Sequence, residues 1–122
     1  MCREKTTFSI IIPIKAFNSY LKETVKSIRL QSYPNWELIV LPNDSEVLWI
    51  KDNRIKVIPT GRVSPARKRD IGVENAVGEL VVFLDDDSFP DERFLEMLRY
   101  HFQDKSTAAV GGPGITPRSD GF

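Results

Sequence analysis

Short apolar runs alternate with stretches of helical period along this chain. Phe8-Ser9-Ile10-Ile11-Ile12 reads as a strand, and Pro13, which cannot donate to a ladder, stops it. Asn18 is a competent helix cap, and behind it Leu21, Val25 and Ile28 recur at i, i+4 and i+7, one helical face. Trp36 to Leu41 predicts a second strand, ended by Pro42, and Arg54 to Ile58 a short third one. Ser64-Pro65 is a helix start, with serine as cap and proline in the first helical position, and Gly78 is the expected stop. Glu79 to Leu84 is nearly all apolar, as expected of a central strand covered on both faces. A further helix is predicted from near Asp91, with Phe94, Leu98 and Phe102 on one face. Ala108 to Val110 is predicted as a last strand before the Gly111-Gly112-Pro113-Gly114 loop.

Strands alternating with helices imply right-handed crossovers and an α/β fold: a mainly parallel, open, Rossmann-like sheet with helices on both faces. Residues 1–122 are one domain's worth of chain. Ligands of such sheets sit beyond the carboxyl ends of the strands. The candidate site is therefore built from the residues just past each strand end: Pro13-Ile14-Lys15, Pro42-Asn43-Asp44, Thr60-Gly61-Arg62 and Asp85-Asp86-Asp87.

The last of these delivers three carboxylates abruptly from an apolar run. On an extended backbone alternate side chains share a side, which would put Asp85 with Asp87. Carboxylates that close repel and raise one another's pKa unless a cation intervenes. A hard divalent ion bound by carboxylate oxygens and substrate phosphates meets that need. A solvated acidic turn leading to Asp91 and Glu92 at a helix start is the plainer alternative.

Arg62, Arg67, Lys68 and Arg69 cluster around the helix that starts after Ser64. A helix N-terminus disfavours cations unless an anion binds there. A helical surface cannot turn all four to one ligand. Lys68 and Arg69 are the chosen phosphate contacts, with Asp70 orienting Arg69, and the rest form a solvated face. A divalent metal and a basic helix start at one sheet edge are the minimum machinery for gripping a diphosphate.

Composition narrows the class further. Seventeen basic residues balance seventeen acidic ones, so no global field points to nucleic acid or an anionic membrane. Cys2 is the only cysteine, which excludes an intrachain disulfide and leads to the expectation of a cytoplasmic location, with membrane association left to a longer parent. The longest apolar runs are too short to span a bilayer.

These residues resemble the family-2 inverting glycosyltransferases of GT-A fold. Ser9-Ile10-Ile11-Ile12-Pro13 through Asn18 is similar to their opening strand and "IPTYN" turn, and Leu21 through Gln31-Ser32-Tyr33-Pro34 to their "L…S…Q.YP" helix. Trp36 to Val40 resembles the second strand, Arg69-Asp70-Ile71-Gly72 with Ala76-Val77-Gly78-Glu79 the "RNxG…A.GE" segment, and Phe83-Leu84-Asp85-Asp86-Asp87 the DXD element. The similarity runs from about Phe8 to Val110. It implies a nucleoside-diphosphate sugar as partner, a UDP-sugar favoured, and Mn2+ or Mg2+ as cofactor. Asp87 would bind the metal directly, Asp85 through water or through the ribose, and Asp86 is the tolerant middle position. Pro13 and Ile14 would pack on the base, next to Lys15, which replaces the usual aromatic. Where the family often carries "VDDGS", this chain has Leu41-Pro42-Asn43-Asp44-Ser45, and either Asn43 or Asp44 takes over the base contact.

The family's general base lies well downstream of DXD, in the acceptor half. The expectation is therefore a nucleotide-sugar-binding domain over residues 1–122 that binds donor without transferring sugar, with homodimer formation through an exposed sheet edge. A phosphoacceptor receiver would need a lone Asp after the third strand, where Pro59-Thr60 stand. A nucleotidyltransferase would need a glycine-rich basic loop where Pro13-Ile14-Lys15-Ala16 stand.

Overall fold

The structure, a computed structural model, describes residues 6–102 of the chain. Its elements run β1 (Phe8–Pro13), α1 (Ser19–Arg29), β2 (Trp36–Leu41), β3 (Ile55–Val57), α2 (Pro65–Glu74), β4 (Leu80–Phe83) and α3 (Phe94–His101). The strands form one sheet in the order β3-β2-β1-β4, and every pairing is parallel. Ile10 stands opposite Leu38 on one side and Val82 on the other, so β1, like β2, is an interior strand of the described sheet.

Alternation on β1 and β2 builds two cores. Phe8, Ile10 and Ile12 with Trp36, Leu38 and Val40 face Leu21, Val25 and Ile28 of α1 and Leu95 of α3. Ile11, Ile39 and Leu41 face the other way, onto Ile71 of α2 and onto Ala76. Helices thus cover both faces, as the alternation of elements predicts.

The expectation of a strand covered on both faces is corrected. β4 is an edge of the described sheet, and Val81 and Phe83 are 39% and 50% exposed. Helix α2 lies over β1 and β2 instead. A short apolar run does not reveal whether one or both faces are covered.

The helix starts obey local chemistry. Asn18 Oδ1 accepts from Leu21 N at 2.9 Å, and Ser64 Oγ accepts from Arg67 N at 3.1 Å ahead of Pro65. Gly78 does not stop α2, which ends at Glu74 with Asn75 as its cap. Gly78 instead permits a close approach: a Cβ there would lie 2.6 Å from Ser9 Oγ and 2.7 Å from the Thr7 carbonyl oxygen. Helix α3 begins at Phe94, later than the Asp91 expected, and has no side-chain cap of its own. Gln31, just past the end of α1, serves as one, its Oε1 accepting from Leu95 N at 3.0 Å. The predicted strand Ala108 to Val110 and the glycine-rich loop after it lie outside the described residues. Among those described, no helix is long and apolar enough to cross a membrane.

Candidate functional site

Because all four strands run parallel, their carboxyl ends share one edge, and backbone bonds continue past the strands to knit it. Ile14 N donates to Leu41 O at 3.2 Å, Asn43 N to Lys15 O at 3.0 Å, and Thr60 N to Pro42 O at 2.9 Å. Gly61 N donates to Asn43 O at 2.8 Å from a backbone φ of +78°, a left-handed conformation that suits glycine. The resulting pocket, about 620 Å³, lies between the ends of β1 and β2 and the start of α2. That volume is in the range of small-molecule sites.

Five of the predicted site residues line it: Pro13, Ile14, Lys15, Asn43 and Lys68. Arg62 and Ser64 line it as well. The sequence signal for both was present, since Arg62 follows β3 and Ser64 caps α2, but charge alone does not say which cation of a basic stretch turns inward.

Lys68 is 2% exposed. Its Nζ donates to Leu41 O at 3.0 Å and to Thr60 Oγ1 at 2.8 Å, so two of the three ammonium hydrogens have protein acceptors. Burial pushes its pKa below the ordinary lysine value, and the nearby Asp44 carboxylate opposes that shift. Asp44 is exposed beside the pocket. Arg69 is half-buried and is not in the pocket wall. No ion pair joins it to Asp70 among the described residues, because consecutive helical residues point about 100° apart. Arg67 belongs to the solvated face, pairing at 3.5 Å with exposed Glu74.

The acidic run sits next to the end of β1. Leu84 N donates to Ile11 O at 3.1 Å, and beyond it the chain turns at Asp86 and Asp87 instead of staying extended. Ser88 N donates to Asp85 O at 3.2 Å and Asp85 N to Ser88 Oγ at 3.0 Å, closing the turn. Strand alternation therefore does not put Asp85 and Asp87 on one side of this backbone. The turn separates the three carboxylates in another way. Asp86 Oδ2 accepts from Asn18 Nδ2 at 2.8 Å, and Asp86 O accepts from Thr24 Oγ1 at 2.5 Å. Asp85 and Asp87 are exposed, and neither carboxylate is hydrogen-bonded or ion-paired among the described residues. Among those residues, no group of three or more His, Cys, Asp and Glu gathers to enclose a metal. Two hard carboxylates still fit Mn2+ or Mg2+, which commonly complete their coordination with substrate phosphates and water.

A pocket with cations in its wall and an acidic turn both lie on the carboxyl edge of the parallel sheet, where ligands of open α/β sheets bind. The profile of glycosyl transferase family 2 matches residues 9–121, and the chain belongs to that family. It is 32% identical over 96 residues to the UDP-Glc:alpha-D-GlcNAc-diphosphoundecaprenol beta-1,3-glucosyltransferase WfgD of Escherichia coli, an alignment covering 73% of this chain and 38% of that protein. S. aureus TarS 1-349, solved in complex with UDP-GlcNAc, superposes with a TM-score of 0.67 at 20% identity, over 88% of this chain and 37% of that one. The mannosyltransferase PcManGT from Pyrobaculum calidifontis, solved with GDP-Man and Mn2+, gives 0.65 at 20% identity, over 88% and 34%. The two structural likenesses establish the GT-A fold. The chain spans well under half the length of each of these proteins.

Proposed function

We propose that this chain is the donor-binding part of an inverting glycosyltransferase that takes a nucleoside-diphosphate sugar, a UDP-sugar by preference. The observation that carries this reading is the pocket of about 620 Å³ between the ends of β1 and β2 and the start of α2, on the same sheet edge as the turn that bears Asp85 and Asp87. The UDP-Glc in the name of WfgD and the UDP-GlcNAc bound to TarS support the nucleotide. In this reading Pro13 and Ile14 flank the base, and Asn43 or Asp44 pairs with it. Lys68, through its remaining ammonium hydrogen, and Arg62 neutralise the diphosphate, with Arg69 adding charge from outside the wall. Mn2+ or Mg2+, held by Asp87 and Asp85, would neutralise charge on the departing diphosphate. The Mn2+ bound to PcManGT supports that cofactor.

Transfer also needs a base to activate the acceptor hydroxyl. Asp91 Oδ1 accepts from Arg93 N at 2.9 Å, and Glu96 is bonded to Ser32 and paired with Arg93, so both are occupied around the start of α3. We assign the base to neither of them, and this chain alone is expected to bind donor in the cytoplasm without transferring it.

A thermal-shift panel of UDP, GDP and dTDP, each with and without Mn2+, tests the reading. Ligand binding stabilises by mass action, so UDP with Mn2+ should raise Tm most. A panel in which no nucleotide shifts Tm would contradict it.

A further inference from the structure

We infer that Asn18 is a positioning residue for the acidic turn, fixing Asp86 so that Asp85 and Asp87 are presented to a divalent cation; this rests on the donor-binding reading above. Both ends of the Asn18 amide are in use. Its Oδ1 caps α1 by accepting from Leu21 N at 2.9 Å, and its Nδ2 donates to Asp86 Oδ2 at 2.8 Å. Thr24, fully buried on the same helix, donates through Oγ1 to Asp86 O at 2.5 Å. Helix α1 thus grips the middle residue of the turn at side chain and backbone together.

The grip adds to the other contacts on either side of the turn among the described residues, Leu84 N on Ile11 O at 3.1 Å and the Phe89 ring beside Tyr20. β4 is an edge strand of the described sheet that ends at Phe83, and the local lock is the pair of bonds between Asp85 and Ser88. Three adjacent like charges repel, and an unanchored turn would relax by splaying them. Anchoring the middle carboxylate on a neutral amide takes that group out of the competition for the cation and leaves its two neighbours open.

A purely structural role for Asn18, as the α1 cap alone, makes a different prediction. Asn18→Asp keeps the cap, because Asp and Asn are equivalent there. It removes the amide donor and sets a carboxylate against Asp86. Adding Asp86→Asn restores a donor and an acceptor in the reverse sense. The readouts on the full chain are Mn2+-dependent UDP affinity by calorimetry, Mn2+ affinity of the UDP complex by electron paramagnetic resonance, and Tm.

Asn18→Asp should weaken Mn2+-dependent UDP binding by about tenfold or more, the loss expected of a charge-assisted hydrogen bond. UDP binding without metal should be unchanged. The double variant should return to within about threefold of wild type, by recovery of the same bond. Thr24→Val, which keeps the buried volume and drops the hydroxyl, should show a smaller loss of the same metal-dependent kind. Wild-type affinity in Asn18→Asp, a double variant no better than the single, or a Thr24→Val loss equal with and without Mn2+ would overturn the assignment. A wild-type chain with no Mn2+-dependent UDP binding would sink the donor reading itself, a distinct result.

Discussion

Lys68 Nζ donates to the carbonyl oxygen of Leu41 at 3.0 Å, tying the first turns of α2 to the last residue of β2. The same ammonium bonds Thr60 Oγ1, beyond β3, so one buried side chain gathers three elements around the pocket. Lys68→Met keeps the apolar stem and strips the charge, leaving Leu41 O with Ile14 N as its remaining donor and Thr60 Oγ1 without the ammonium. A loss of about 1–3 kcal/mol in urea unfolding is expected. UDP binding should fall further than uridine binding, and equal losses for the two would assign Lys68 to the fold alone.

Asp52 gives an acid-stability prediction. Its carboxylate accepts from Arg54 Nε at 3.1 Å and Arg29 Nε at 3.2 Å, and Arg54 stacks over Trp36. The Arg54 guanidinium, outweighing burial, pulls the Asp52 pKa from 3.8 to about 2. A depressed carboxylate contributes stability above its unfolded pKa and loses it as pH falls through the folded one. Asp52→Asn should therefore flatten the unfolding profile between about pH 4 and pH 2. It should cost roughly 1 kcal/mol at neutral pH, discounted because both guanidinium partners are exposed. An unchanged acid limb in a pH series of denaturant melts would refute this.

Two glycines should respond differently to alanine. At Gly72 a Cβ meets Ile11 Cγ2 at 2.6 Å, a methyl on the branched Cβ of a fully buried residue, and alanine's gain of about 1 kcal/mol in helix propensity offsets part of the cost of moving it. At Gly78 it meets the Thr7 carbonyl oxygen at 2.7 Å, which is backbone. Gly78→Ala should cost about 2–3 kcal/mol and Gly72→Ala about 1 kcal/mol or less, by thermal melting. The reverse order would mean that β1 and β4 yield more easily than the α2 contact.

The local features of the fold were legible in the sequence. Proline stops bounded β1 and β2 to within a residue, and Asn18 and Ser64 cap the helices directly behind them, because caps act over three residues. Sheet order was not legible, since nothing in the apolar run of β4 records whether another strand lies beside it. Gln31 capping α3 joins residues 64 apart in sequence, so no window could show it. At the site, the strand-end residues Pro13, Ile14, Lys15 and Asn43 line the pocket. Arg62 lines the wall and Arg69 does not, a difference that charge along the sequence does not show, because the turn of α2 and the loop before it decide which cation faces in.

A metal held by the two unengaged carboxylates is central to the proposed donor binding. Titration of UDP into the chain by calorimetry, with and without Mn2+, tests it most directly when run on wild type, Asp87→Asn and Asp86→Asn. Wild type should bind at least about tenfold more tightly with Mn2+, the difference a directly coordinated diphosphate makes. Asp87→Asn should lose that dependence. Asp86→Asn should stay close to wild type, because an amide oxygen can still accept from Asn18 Nδ2. Affinity indifferent to Mn2+ in wild type, or equal losses in the two variants, would contradict the assignment.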